Sequence, residues 1–221
     1  KTDYDAVRKL VADYTENLER NTVTNKTVFI ETANDVKYTK ETEPVKQGKL
    51  VMGFRMGMAD ANDKYAARRV MVDLFGGSPH SKLFTIVREK MSLCYYCSAR
   101  MIRAKGVMFV QSGIESYNEE KAKNAILQQL EDIKNGDFKD SDVEASVKAL
   151  EDSFKSVSDS PEALDSWFMS QCVSGEYKYP EEFIEEFKKV TREEIIKAAQ
   201  DVTLDTVFML EGTAEGGESN E

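Results

Sequence analysis

The chain has 221 residues, of which 41% are apolar and 10% aromatic, enough for one packed domain with a substantial core. Its formal net charge of −10 argues against nucleic acid, where Lys and Arg neutralise phosphates. No apolar run approaches the roughly 20 residues that cross a bilayer, so no membrane span is expected. Residues 1–20 are charged and amphipathic rather than a short apolar leader, so no signal peptide is expected either. Lys1 in place of an initiator Met is expected of a segment cut from something longer.

Three cysteines, Cys94, Cys97 and Cys172, are too few and odd in number for a disulfide framework. They fit a reducing, cytoplasmic setting. Asn25-Lys26-Thr27 matches a glycosylation sequon, a triplet common by chance. The charge is uneven. Residues 79–114 carry Lys82, Arg88, Lys90, Arg100, Arg103 and Lys105 against Glu89 alone, leaving that stretch at +5. Such an island is either an anion site or a basic solvated face.

Taken in order, Tyr4, Val7, Val11, Tyr14 and Leu18 recur at helical spacing and predict an N-terminal helix over 1–22. Val28–Ile30 reads as a strand. Val36 and Tyr38 precede a turn at 41–44, and 49–56 reads as a longer strand that could pair back across it. Asp60–Asp63 offers N-caps for a helix carrying Ala67, Val70, Met71, Leu74 and Phe75. Gly76-Gly77-Ser78-Pro79 breaks it. A second helix places Leu83, Phe84, Val87 and Met91 on one face. Strands at about 93–102 and 107–112 follow, joined by a turn at 104–106.

The second half reads as helical, with stripes at Ile126, Leu130 and Ile133, then at Val143, Val147, Leu150, Phe154 and Val157. Ser160-Pro161 caps a helix with Leu164, Trp167 and Phe168. Thr191 and Glu194 form a capping box before Ile195, Ile196 and Ala199. A last strand at 206–210 leads into an acidic tail, 211–221, expected to be disordered. The predicted class is α+β, with helices covering one face of a mostly antiparallel sheet over 23–210.

Counting residues limits the chemistry. A hydrolytic zinc site commonly needs two His and a carboxylate, and the chain has only His80, in a Gly-Ser-Pro turn. A Ser-His-Asp triad through His80 lacks a nucleophile elbow. Cys94-Tyr95-Tyr96-Cys97 is a C-x-x-C match. If 93–102 is a strand, its two thiols lie on opposite faces and cannot meet. Buried structural cysteines are the favoured reading over a redox or zinc role. Arg88, on the exposed side of its helix, and Tyr95, at the following strand start, could meet at one sheet edge. They would suit a peptide, a guanidinium for its carbonyl and a phenol for an oxyanion. From the residues alone, an ordinary surface Arg and a half-buried Tyr are favoured.

The segment Phe84-Thr-Ile-Val-Arg88-Glu-Lys-Met-Ser-Leu93-Cys-Tyr95 resembles a motif in the second half of pitrilysin/insulinase-type zinc peptidases. That motif is Phe, Arg four residues on, then Leu-Gly-Tyr; Cys94 stands in for the Gly. Leu74–Gly77, Ser81–Phe84 and the Thr191 helix look like other parts of the same family, so the resemblance covers about 49–210. It implies one half of a clam shell whose zinc, held by His-x-x-Glu-His, lies in the other half. Arg88, Tyr95 and Phe84 would bind a peptide substrate. No cofactor would reside in this chain, which alone would be inactive. Partners would be a catalytic N-terminal half or a paralogous peptidase subunit, giving a dimer. Gly77–Phe84, Val87–Lys90 and Gln111–Glu115 resemble a bacterial subfamily associated with elongation factor P 5-aminopentanol modification, whose members often lack the zinc motif. Two alternatives stay open, a purely structural subunit and an unrelated thiol-redox or zinc-binding protein using Cys94 and Cys97.

Overall fold

The computed structural model describes residues 2–21 and 28–212. The sequon at Asn25 and the tail at 213–221 lie outside the described residues. Five strands are present among them: β1 (Lys37–Glu43), β2 (Gly48–Arg55), β3 (Tyr96–Ile102), β4 (Val107–Ile114) and β5 (Thr203–Gly212). They hydrogen-bond in the order β1-β5-β2-β4-β3. Only the β1–β5 pair is parallel; the others are antiparallel. The α+β class and the mostly antiparallel sheet are therefore as the sequence implied.

Period-two alternation decides which face is covered. Leu50, Met52 and Phe54 of β2, Met108 and Val110 of β4, and Val207 and Met209 of β5 are buried against helices. Val51, Phe109 and Phe208 point the other way and stay half exposed in a shallow groove. The helices are α1 (Tyr4–Thr15), α2 (Tyr65–Val72), α3 (Glu119–Lys134), α4 (Asp140–Lys155), α5 (Pro161–Ser174), α6 (Pro180–Phe187) and α7 (Arg192–Gln200). Two wide-turn π-helical segments, Asp73–Gly77 and Leu83–Lys90, join α2 to β3. The predicted stripes Val70, Met71, Leu74 and Phe75, and Ile126, Leu130 and Ile133, all lie in the core. The caps also form: Ser160 Oγ accepts from Ala163 N at 3.0 Å, and Thr191 N donates to Glu194 Oε2 at 2.8 Å.

Five readings need correction. Val28–Ile30 is not a strand; Phe29 instead packs near Gly106, whose left-handed φ of 60° closes the β3–β4 connection. β1 does not pair with β2, because β5 lies between them, an arrangement set by contacts some 150 residues apart. The N-terminal helix is shorter than 1–22, and β5 runs through residues 211 and 212, the first two of the expected tail. Finally, α2 starts at Tyr65 behind Lys64, which sits in the left-handed region at φ 47°, rather than on an Asp60–Asp63 side-chain cap. Asp60 spends its carboxylate on a turn, accepting from Asn62 N and Asp63 N.

Two buried charges shape the core. Arg68 is 0% exposed. Its guanidinium donates to the carbonyls of Met56 at 3.0 Å, Gly57 at 2.7 Å and Asp63 at 3.1 Å, and pairs with the Asp63 and Asp201 carboxylates. It thus ties the end of β2 to the start of α2 and the end of α7. Asp73 is 3% exposed, and its Oδ1 has no hydrogen-bond partner. Burial pushes its carboxyl pKa up. A carboxyl whose folded pKa is raised favours folding at low pH, and that contribution is lost as pH rises through the folded value. Asp73→Asn is therefore expected to stabilise the fold at pH 7 by on the order of 1 kcal/mol. Thermal melts at pH 7 and pH 4 check this; the gain should shrink at the lower pH.

Candidate functional site

The Leu83–Lys90 helix buries Leu83 and Val87 and turns Phe84 and Arg88 outward. Its exit is unusual. Met91 N bonds Ile86 O at 2.8 Å and Leu93 N bonds Val87 O at 3.2 Å, while Ser92 takes a left-handed φ of 51°. A non-glycine residue in that region costs about 1–2 kcal/mol. The turn it makes sends Leu93 back onto the core and presents Cys94 and Tyr95 beside Arg88.

The three residues singled out from sequence do come together. Arg88 Nε donates to the Tyr95 carbonyl at 2.9 Å. Its guanidinium carbon lies 4.5 Å from the centroid of the Phe84 ring, a stacking contact that fixes the plane of the fork. Tyr95 N donates to Gly113 O at 2.8 Å, which anchors the turn to β4. The Tyr95 ring is 58% exposed, and its hydroxyl donates to a Glu115 carboxylate oxygen. Arg88, Glu89, Ser92, Cys94 and Tyr95 line one shallow depression.

Sequence reasoning missed Glu115 as a member of this group. Its signal was weak: a carboxylate just past the end of β4, one residue beyond the position that the β3–β4 register sets opposite Tyr95. The hydrogen bond to Glu115 raises the Tyr95 pKa. Glu115→Gln removes the negative charge that holds the phenol proton. It should lower the Tyr95 pKa toward its ordinary value, as read by pH titration of ring-labelled tyrosine NMR signals.

The basic island divides between roles. Arg103 is structural: it stacks 3.9 Å over the Tyr65 ring, donates to Ala61 O at 2.8 Å and pairs with Glu176. Arg88 belongs to the depression.

The C-x-x-C geometry also differs from expectation. β3 begins only at Tyr96, so strand alternation does not govern Cys94. Cys97 is buried at the start of β3, and Cys94 is half-buried and lines the depression.

Zinc is what the family resemblance implies for a partner half, and the residues here do not fit it. His80 is exposed in its turn, and among the described residues no group of three or more His, Cys, Asp or Glu could hold a metal ion. No step is derived through a metal.

Such a domain has the fold of one half of a two-part peptidase. The chain belongs to the peptidase M16 family: residues 1–150 match the description "Peptidase M16 inactive domain". It is similar to the "Probable inactive metalloprotease YmfF" of Bacillus subtilis, 40% identical over 174 residues, which is 78% of this chain and 41% of that protein. A solved conserved protein from Enterococcus faecalis superposes with a TM-score of 0.85 at 26% identity, covering 99% of this chain and 51% of the other. An M16 inactive domain from Pseudomonas fluorescens gives 0.71 at 16% identity over 96% of this chain and 52% of that one, which supports the fold alone. The chain thus spans about half the length, or less, of these three relatives.

Proposed function

We propose that this chain is the non-catalytic, peptide-binding half of an M16 peptidase or pseudo-peptidase, and that it holds a peptide backbone at Arg88 and Tyr95. One observation carries the reading. Arg88, which lines the depression, spends only Nε on a hydrogen bond and keeps its terminal nitrogens as donors. Tyr95 lines the same depression, and its hydroxyl gives its proton to Glu115, which leaves the oxygen as an acceptor. A donor fork beside an acceptor complements the carbonyl and N–H of an extended peptide. Phe84 keeps the fork flat and ready, which lowers the ordering cost of binding.

A partner half is part of this proposal. Helix α1 buries none of its residues, and Val7, Leu10, Val11 and Tyr14 form an exposed apolar stripe on it. Together with a chain that spans half of its solved relatives, this supports pairing with a catalytic or paralogous subunit. The same stripe supports the second reading, a structural subunit that only pairs. A reducing cytoplasm is the proposed setting, in keeping with three free thiols.

The experiment is a fluorescence-anisotropy titration of the chain with a labelled, unstructured peptide in chelator-treated buffer, with mass spectrometry of the peptide afterwards. Saturable binding with the peptide intact is the expected result. A folded chain that shows no peptide affinity but retains a peptidase partner would overturn peptide binding and leave the structural subunit.

A further inference from the structure

A second cavity, of about 440 Å³, lies among α2, α6, α7 and the connection from α5 to α6, and it shares no residue with the Arg88 depression. That volume falls within the roughly 300–1,000 Å³ of small-molecule sites. Its walls are held by hydrogen bonds. Asn62 Nδ2 donates to Ser174 O at 3.1 Å. Lys178 N donates to Gln171 Oε1 at 2.7 Å, and Lys178 O accepts from Trp167 Nε1 and Gln171 Nε2, each at 2.9 Å. Tyr65, another lining residue, is packed by the Arg103 guanidinium at 3.9 Å and by the Phe183 ring at 5.5 Å. A cavity whose walls are already fixed costs little ordering to fill.

The polar lining is unbalanced. Lys64, Lys178, Lys189 and Lys197 line it against three glutamates, in a chain of net charge −10. The glutamates are engaged: Glu176 pairs with Arg103 and Lys178, Glu186 pairs with Lys178, and Glu194 accepts from Thr191 N at 2.8 Å. Lys197 pairs with Asp201. Lys64 and Lys189 form no ion pair among the described residues, whereas the adjacent Lys188 pairs with Glu151 and Glu185.

Helix α2 supplies further donors. Its N-terminus has no side-chain cap, and Ala66 and Ala67 of its first turn line the cavity. First-turn N–H groups find no partner within their own helix, and the helix dipole there favours negative charge. Burial raises the Tyr65 phenol pKa, so the hydroxyl keeps its proton at neutral pH. Val190 and the two alanine methyls add apolar surface.

We propose that this cavity binds a small organic oxyanion, a phosphate or carboxylate on a compact apolar body, whose charge is held by Lys64, Lys189 and the first turn of α2. Cations without acceptors supply the attraction, and the apolar lining takes the body of the ligand. The proposal uses neither Arg88 nor Tyr95 and stands apart from the peptide-binding reading.

The test is an amide-resolved NMR titration of the whole chain with phenyl phosphate at constant ionic strength. Saturable shifts are expected at Ala66, Ala67, Lys189 and Val190, with a Kd below about 1 mM. Inorganic phosphate should move the same amides with weaker affinity. Lys189→Gln and Lys64→Gln should each weaken phenyl phosphate about 3–10-fold, the worth of one exposed charge contact. Lys188→Gln removes the same charge one residue away and should leave the affinity unchanged. The spectra themselves show whether each variant is folded, and the two single variants test the site separately. Three results would overturn the proposal: no saturable shift at these amides by about 10 mM phenyl phosphate; a loss with Lys188→Gln as large as with Lys189→Gln; or uncharged benzyl alcohol moving the same amides with equal affinity.

Discussion

Arg68→Met is expected to remove about 3–5 kcal/mol of folding stability. A methionine fills much of the same volume, so the loss is not chiefly a cavity. It comes from what the guanidinium leaves behind. The Met56, Gly57 and Asp63 carbonyls lose their donor, and the Asp63 and Asp201 carboxylates lose the charge between them. Urea unfolding monitored by circular dichroism measures the change. A loss below about 1 kcal/mol, the range of exposed ion pairs, would show that the network is not what holds β2 to α7.

Arg88→Ala is expected to weaken peptide binding by about 10–100-fold, the worth of one or two charge-assisted hydrogen bonds. Stability should change little, because Arg88 contributes one hydrogen bond, to Tyr95 O, and a stacking contact at the surface. Arg88→Lys should recover only part of the affinity. A lysine keeps the charge but cannot lie flat on Phe84 while offering a fork of donors. Anisotropy titrations of the three proteins, with melting curves alongside, separate a binding loss from a folding loss.

The core was legible in the sequence where helical stripes and strand alternation are local, as at Val70, Met71, Leu74 and Phe75, or Leu50, Met52 and Phe54. Sheet order was not, because β5 enters between β1 and β2 from the far end of the chain. Arg68 gave no signal either: a charged residue in an amphipathic stretch reads as solvent-facing until its carbonyl partners are placed. At the site, Phe84, Arg88 and Tyr95 could be named from motif spacing, but their contact depends on the left-handed turn at Ser92, which no local preference predicts for serine. Cys94 differs from expectation for a related reason. The alternation rule was applied two residues before the strand begins.

The account stands most directly on where a bound peptide touches the chain. A peptide carrying a central photoreactive residue can be irradiated on the protein and its attachment points mapped by mass spectrometry. Attachment should fall within 84–95 and at Glu115, and should be lost with Arg88→Ala. Attachment confined to the open sheet face around Phe109 and Phe208, or to α1, and unchanged by Arg88→Ala would contradict it.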